Sequence, residues 1–456
     1  MDKKALMEKL AREAYEKDSF NGTWLYAEHG EIVSKGAIGF RDPEGKLPVQ
    51  EDTIFQLASV TKQFTAAAVM LLVRQGLLQL DDEIVKFFPE LTDYKGATVR
   101  HLLTHTSGIP DYFDDADWFI DRWKKENRVP SNPEIVRFLL ETEAKPYGVP
   151  GETWQYSNTG YNLLAEIVEQ RSGIPFEEFL RKNVFEPAGM FHTRCCHVRR
   201  DGAPFENYAR AAVLEDDKYV ADIDSEDARE VIAFDGLNGD DYVYTNIFDM
   251  LRWDRALKAG TVLTLEEQEV MYTPVKLNSG EVFVDEDGDG YGFGWFITND
   301  KEVGRIVSHS GGMPGVHTWF KRFLDKDRML VILCNREEQD IRAHDGLFIG
   351  MRDVATGKEP APIRSIEELA IQNPDKSKWE SFCGKYEHPE DADFIIDEVF
   401  LRDGDLYANA IDDDGDDLSF RLYPLGENTF GRKMGMVKLT FTEGSITVNG
   451  VTCKKL

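Results

Sequence analysis

Ser59-Val60-Thr61-Lys62-Gln63-Phe64-Thr65-Ala66-Ala67-Ala68-Val69-Met70-Leu71-Leu72 is the stretch on which the fold turns. A hydroxyl and an amine three residues apart share one helical face, about one turn from each other. Val60, Phe64, Ala67, Ala68, Leu71 and Leu72 recur with a helical period, and Gly76 stands where a C-terminal stop belongs. Apolar nearly all round, this helix is predicted to be buried, with Ser59 at its exposed start. Backbone N–H groups there favour developing negative charge. Lys62, in partly desolvated surroundings, would lose its proton more readily and accept the serine's. The motif alone, common by chance, fits an N-capping serine and a snorkelling lysine better than a catalytic pair.

Two further segments separate these readings. Tyr156-Ser157-Asn158 follows Val149-Pro150-Gly151-Glu152 and precedes a second helical pattern running from Tyr161 to Val168. Far downstream, His309-Ser310-Gly311-Gly312 follows a short strand-like run, Gly304 to Val307. In this order, S-x-x-K, Y-S-N and H-S-G resemble the three signature elements of the serine β-lactamase and penicillin-binding protein superfamily. The tyrosine in the second and the histidine in the third are most similar to its class C branch. That branch includes β-lactamase-like esterases, D-aminopeptidases and DD-carboxypeptidases. The intervening stretches also resemble it: Gly76 to Asp82, His101 to Gly108, Phe185 to Met190 and Tyr291 to Trp295. The resemblance covers about residues 10 to 350.

Acyl transfer needs a nucleophile, a base, a donor for the leaving group and an oxyanion site. Ser59 is the candidate nucleophile and Lys62, one turn on, the first candidate base. A phenol ionises only near pH 10, so Tyr156 alone would be a poor base. An ammonium beside it favours phenolate, and phenolate holds the ammonium charged, so the two form one coupled unit. The resemblance implies that Ser59 attacks while Lys62 and Tyr156 shuttle its proton. It implies further that Asn158 orients Lys62 and the substrate's acyl amide. The two glycines after Ser310 leave the chain bare where a substrate approaches. By resemblance, the strand carrying His309, Ser310 and Gly311 edges the site, and the backbone N–H groups of Ser59 and Gly312 form the oxyanion hole. Many relatives carry lysine where this chain has His309. Histidine is only partly charged near pH 7, which argues against strong recognition of a free carboxylate.

Other features carry less. Asp285-Glu286-Asp287-Gly288-Asp289-Gly290 matches half of a calcium loop, but its twelfth position is Phe296 rather than glutamate, so it reads as a solvated acidic turn. Asp412 to Asp417 reads as a charged hairpin loop. His101 and His105 have the i, i+4 spacing of zinc ligands without a third ligand, so no metal is assigned. No cofactor is called for. Tyr112, Phe113, Trp118, Phe119 and Trp123 follow Gly108-Ile109-Pro110; from the residues alone the run reads as packing, and by resemblance Trp118 is placed in the wall of the substrate pocket.

Composition sets outer limits. The 456 residues carry 53 basic and 83 acidic side chains, a formal charge of −30. That charge repels nucleic acid and anionic membranes. No apolar run approaches the roughly 20 residues a membrane span needs. The N-terminus lacks a signal-peptide core, and five cysteines, two of them adjacent, argue against a disulfide framework. These features predict a cytoplasmic protein acting on a small-molecule or short-peptide substrate; a homo-oligomer is left open.

The expected architecture is α/β (α+β). A class C β-lactamase-like antiparallel sheet is flanked by helices, with an all-helical subdomain, over residues 1–356. Its sheet begins with strands near Gly22 to Ala27 and Ile32 to Ala37 and is closed by Met329 to Cys334. A linker, 357–375, follows a helix near Ile341 to Thr356. Residues 376–456 show short alternating strands and are predicted to form a small antiparallel β-barrel or sandwich. The predicted activity is hydrolysis of an amide, peptide or ester through a Ser59 acyl-enzyme. Its alternatives are a carboxylesterase, an acyltransferase using the same residues, and a weakly catalytic binding or scaffold protein.

Overall fold

In the computed structural model the described residues are 1–142, 145–215, 218–225, 228–387, 395–411, 417–433 and 437–456. They fall into two compact units that do not follow chain order. One comprises Met1–Glu8, Asn21–Glu337 and Ala355–Lys358; the other comprises Lys9–Phe20, Glu338–Val354 and Glu359–Leu456.

The first unit is built on a seven-stranded antiparallel sheet. Across it the order is Glu31–Ile38, Gly22–Glu28, Arg328–Cys334, Val316–Phe323, Gly304–Met313, Phe296–Asp300 and Gly290–Tyr291. Gly22 pairs with Cys334 and Glu28 with Arg328, so the late strand joins the sheet that the early strands begin. The helix Lys62–Arg74 is buried from Lys62 through Leu72. Its apolar residues lie in one core with Leu25, Val331 and the helical subdomain's Leu102, Phe119, Phe138 and Leu164. Phe64 meets Phe185 edge-on at 5.3 Å and Trp253 at 5.0 Å, so Phe64→Ala would cost about 3–5 kcal/mol. Helices Val99–Leu103, Asp117–Glu126, Pro133–Glu141 and Asn158–Ser172 build the helical part. The last begins at Ser157, whose hydroxyl accepts from Gly160 N, and ends at Gly173 with φ +74°. The helix Ile341–Thr356, where its pattern predicts one, belongs mostly to the second unit.

In the second unit the C-terminal strands form two open antiparallel sheets rather than a closed barrel. Gly384–Lys385, Ile395–Arg402, Asp405–Ile411 and Asp417–Arg421 make the first. Tyr423–Pro424, Thr429–Gly431, Lys438–Thr442, Ser445–Val448 and Val451–Lys454 make the second. The period-two pattern explains the arrangement. Leu406, Ala408 and Ala410 from one sheet share a core with Leu439, Phe441, Ile446 and Val448 from the other, while alternate residues are less buried. Most of the predicted acidic hairpin, residues 412–416, lies outside the described residues.

Candidate active site

Ser59 lies on a 3-10 turn, Ala58–Thr61, and the α-helix proper starts at Lys62. The residue before the serine departs from ordinary geometry. Ala58 has φ +48°, a left-handed conformation that costs a residue with a Cβ about 1–2 kcal/mol. Neighbouring strands hold it there. Leu57 N donates to Val243 O at 2.8 Å, Thr318 Oγ1 donates to Leu57 O at 2.6 Å, and Val243 N donates to Thr61 Oγ1 at 3.2 Å. The result lifts Ser59 into partial exposure while Val60, Thr61 and Lys62 stay buried.

Lys62 Nζ donates to Ser59 Oγ at 3.0 Å, to Asn158 Oδ1 at 2.7 Å and to the Asp240 carbonyl at 3.1 Å. All three directions of the amine are used, and the rings of Tyr156 and Tyr161 lie 4.9 and 5.5 Å from it. Two residues that the sequence reading missed complete this arrangement. Asp111 Oδ2 accepts from Asn158 N at 2.7 Å and from Asn158 Nδ2 at 2.9 Å, which leaves Asn158 Oδ1 to face Lys62. Burial pushes the Asp111 carboxyl up to about 6, against the pull of hydrogen bonds from Asn158 and Phe113 N–H. Asp240 accepts from Tyr112 Oη at 2.9 Å and Asn162 Nδ2 at 2.6 Å; burial raises its carboxyl also, with the Lys62 charge opposing.

Tyr156 is partly exposed beside this group. Its neighbours are clamped to His105: Gln155 N donates to His105 O at 2.8 Å and Ser157 N to His105 Nδ1 at 3.1 Å. The His105 ring lies 4.3 Å from the Tyr156 ring. Desolvation pushes the Tyr156 phenol above its usual range, and the charge and hydrogen bonds of Lys62 only partly offset this. Within the coupled unit, desolvation therefore outweighs the attraction of the lysine and favours the neutral phenol.

The third element forms the strand Gly304–Met313. Its neighbour Phe296–Asp300 pairs only with Gly304 to Ser308, so the edge from His309 to Met313 is open on that side. Along it burial alternates: Ser310 and Gly312 are exposed, His309 and Gly311 buried. A Cβ on Gly312 would meet open space. One on Gly311 would fall 2.3 Å from Leu57 O and 2.9 Å from Ala58 Cβ. Only Gly312 is bare toward the cleft; Gly311 is bare so that the strand can press on the turn before Ser59. His309 Nδ1 lies 2.5 Å from Ser310 O, and its Nε2 lies 3.2 Å from Tyr291 Oη. Burial, then the Lys62 charge, holds its pKa near about 3, so the ring is neutral. Gly294, in the same Tyr291 to Trp295 stretch, leaves room for Lys62 O, which a Cβ would approach at 2.8 Å.

Trp118 is buried, as the packing reading expects. It packs between helices, 4.8 Å from Phe119 and 5.8 Å from Phe138, and its indole N–H donates to Glu141 at 3.3 Å. The helical spacing of that aromatic run buries it, whereas Phe113, 43% exposed, stacks 4.4 Å from Tyr112. His101 and His105 also part ways. His101 Nδ1 accepts from Thr98 N at 3.2 Å in a capping box, while His105 braces Tyr156. In the acidic turn, Asp285 Oδ1 accepts from Asp287 N at 3.1 Å and Asp289 N at 2.8 Å.

The Beta-lactamase family model matches residues 7–349. The chain belongs to the β-lactamase family. A relative within its range, penicillin-binding protein 4* of Bacillus subtilis (strain 168), is 38% identical over 94% of this chain and 91% of that one. Esterase EstB of Burkholderia gladioli is 29% identical over 65% of this chain and 81% of its own. Among solved β-lactamase-like folds, the octameric penicillin-binding protein homologue from Pyrococcus abyssi superposes with a TM-score of 0.66 at 23% identity, covering 99% of both chains. D-amino acid amidase from Ochrobactrum anthropi SV3, complexed with D-phenylalanine, gives 0.64 at 24% identity, over 78% of this chain and 98% of that one. These similarities support hydrolysis by a serine enzyme.

Proposed function

We propose that this protein hydrolyses an amide or ester of a small substrate with an uncharged leaving group, through an acyl-enzyme on Ser59. The observation that carries the reading is the 3.0 Å contact between Ser59 Oγ and a Lys62 amine fixed by Asn158 and the Asp240 carbonyl. Ser59 attacks the carbonyl carbon as its proton passes to the Lys62–Tyr156 unit, which must first have lost one proton. The oxyanion faces the N–H groups of Ser59 and Gly312. Tyr156 returns a proton to the departing amine or alcohol, and water then cleaves the acyl-enzyme. Asn158 and the His309-to-Gly312 edge orient the substrate, whose backbone adds to the open strand edge.

A neutral His309 offers no cation to a terminal carboxylate, which favours amidase or esterase chemistry over carboxypeptidase chemistry. The amidase and esterase names among the similar proteins support both; peptides with a D-residue are the first amides to try. Five free thiols suit a reducing, cytoplasmic setting. No described helix is long and apolar enough to cross a membrane. The octameric assembly named for the Pyrococcus abyssi protein makes self-association the oligomer to look for.

The test is intact-protein mass spectrometry with a fluorophosphonate on wild type and Ser59→Ala. One adduct, lost in the variant, supports the reading. Equal labelling of both proteins sinks it, and so does turnover of p-nitrophenyl esters and D-aminoacyl amides that survives Ser59→Ala.

A further inference from the structure

A hydrogen-bonded chain behind Tyr156 has a defined proton order. The backbone N–H of Ser157 donates to His105 Nδ1 at 3.1 Å, so the ring proton of His105 must sit on Nε2. That nitrogen lies 3.1 Å from Tyr291 Oη and donates to it. The Tyr291 hydroxyl lies 3.2 Å from His309 Nε2 and also hydrogen-bonds the Tyr161 hydroxyl. His309 in turn carries its proton on Nδ1, aimed at Ser310 O at 2.5 Å. The Ser157 amide thus sets the His105 tautomer, and Ser310 O, which can only accept, sets that of His309. This leaves His309 Nε2 a bare acceptor toward Tyr291; all three side chains are buried.

We propose that Tyr291 is a specificity residue. By occupying the one lone pair with which His309 could take up a proton, it keeps the substrate edge uncharged and selects neutral leaving groups over those that end in a carboxylate. The proposal rests on the hydrolase reading above. The groups around the His309 ring are consistent with it. Lys62 acts on it as a cation, Tyr156 lies 6.3 Å away as a phenol, Phe296 lies 5.4 Å away, and neutral His105 stands beyond Tyr291. Each opposes a second positive charge or leaves it unpaired, while Ser310 O at 2.5 Å from Nδ1 favours the charged ring without outweighing burial. With the hydroxyl removed, His309 Nε2 becomes a free acceptor that an incoming carboxylate can help to protonate. Tyr291 touches no reacting atom and acts on the leaving-group preference through His309; its bond to His105 is why the test compares two substrates that share the acyl group.

The experiment compares wild type with Tyr291→Phe, which keeps the ring packed 4.8 Å from both His105 and Phe296. The substrates are an acyl thioglycolate and its methyl ester, which share an acyl group and differ only in a carboxylate on the leaving group. Wild type is expected to favour the methyl ester at every pH. Tyr291→Phe should lose about tenfold of that preference near pH 5 and regain it near pH 8, with an unchanged deacylation rate because the acyl-enzyme is common. A parallel loss on both substrates, or a preference that does not move, overturns the proposal. In histidine-labelled wild type, ¹⁵N NMR should find His309, assigned by its absence in His309→Asn, neutral with its proton on Nδ1 to below about pH 5. The opposite tautomer, or titration near pH 6.5, overturns it independently of any variant's folding. If wild type forms no acyl-enzyme at all, the hydrolase reading falls and takes this one with it; an unmoved preference sinks this one alone.

Discussion

Asp111 grips Asn158 at two points, through the backbone N–H at 2.7 Å and the side-chain amide at 2.9 Å, on a single carboxylate oxygen. The grip is worked against burial, which raises the Asp111 pKa to about 6. An acid raised in the folded state contributes stability below its unfolded pKa of about 4 and loses it as pH climbs through about 6. Ionised Asp111 therefore orients Asn158 at a cost to the fold. Asp111→Asn is expected to raise thermal stability at pH 8 more than at pH 5, by up to about 2–3 kcal/mol, and to lower kcat about tenfold. Melting curves at the two pH values check this; a variant that is less stable at pH 8 refutes it.

Ser59→Ala, Lys62→Ala and Tyr156→Phe should each lower acylation by at least about 10³-fold, and the double variants should fall little further. Residues that act as one unit lose their effect together. Pre-steady-state acylation rates decide it, and additive losses would contradict a shared proton path.

The contact of Gly311 with the turn before Ser59 makes two opposite substitutions informative. Gly311→Ala would force a methyl to within 2.3 Å of Leu57 O, so it should destabilise the fold and slow acylation through a displaced serine. Ala58→Gly relieves the left-handed strain and should add about 1 kcal/mol of stability while reducing kcat through a looser turn. Calorimetry with single-turnover kinetics separates the two effects. Equal kcat in Ala58→Gly and wild type would mean that the strain has no part in catalysis.

The pH profile follows from a resting Tyr156 phenol. Acylation requires the Lys62–Tyr156 unit to lose one proton, so kcat/KM should rise with pH along a single limb. His309 is neutral above about 3 and should not set that limb. His309→Asn is expected to change the rate but leave the limb where it is; a shifted limb would assign the titration to the histidine instead.

What the sequence made legible was local. Ser59, Lys62, Tyr156 and Asn158 lie in short motifs at the starts of periodic helices, and those motifs survive being read one at a time. Asp111, Asp240 and Ala58 escaped because their roles exist only across the fold. Asp111 did sit just past the Leu102-to-Gly108 stretch already singled out, as the one acid closing the Gly108-Ile109-Pro110 turn. Trp118 had two readings, core and pocket wall, because an aromatic run on a helix reads the same whether it faces a cleft or a core; its burial fits the first. Trp118→Ala is now expected to cost about 3–5 kcal/mol without altering substrate preference, and Phe113→Ala to alter preference with little effect on the melting temperature. An acyl-chain series run on both variants tells them apart. The alternating strands of the tail gave its class but not its closure, since period two is common to barrels and to paired open sheets.

The pairing of Gly22 with Cys334 has a consequence for how the molecule is born. Those residues leave the ribosome about 300 positions apart, so at roughly 5–20 residues per second the first hairpin waits about 15–60 s for its central partner. The turn before Ser59 waits as well, because Val243, Gly311 and Thr318 must all arrive before it can be held. On the proposed mechanism, a nascent chain thus carries Ser59 long before the contacts that would make it a nucleophile are in place.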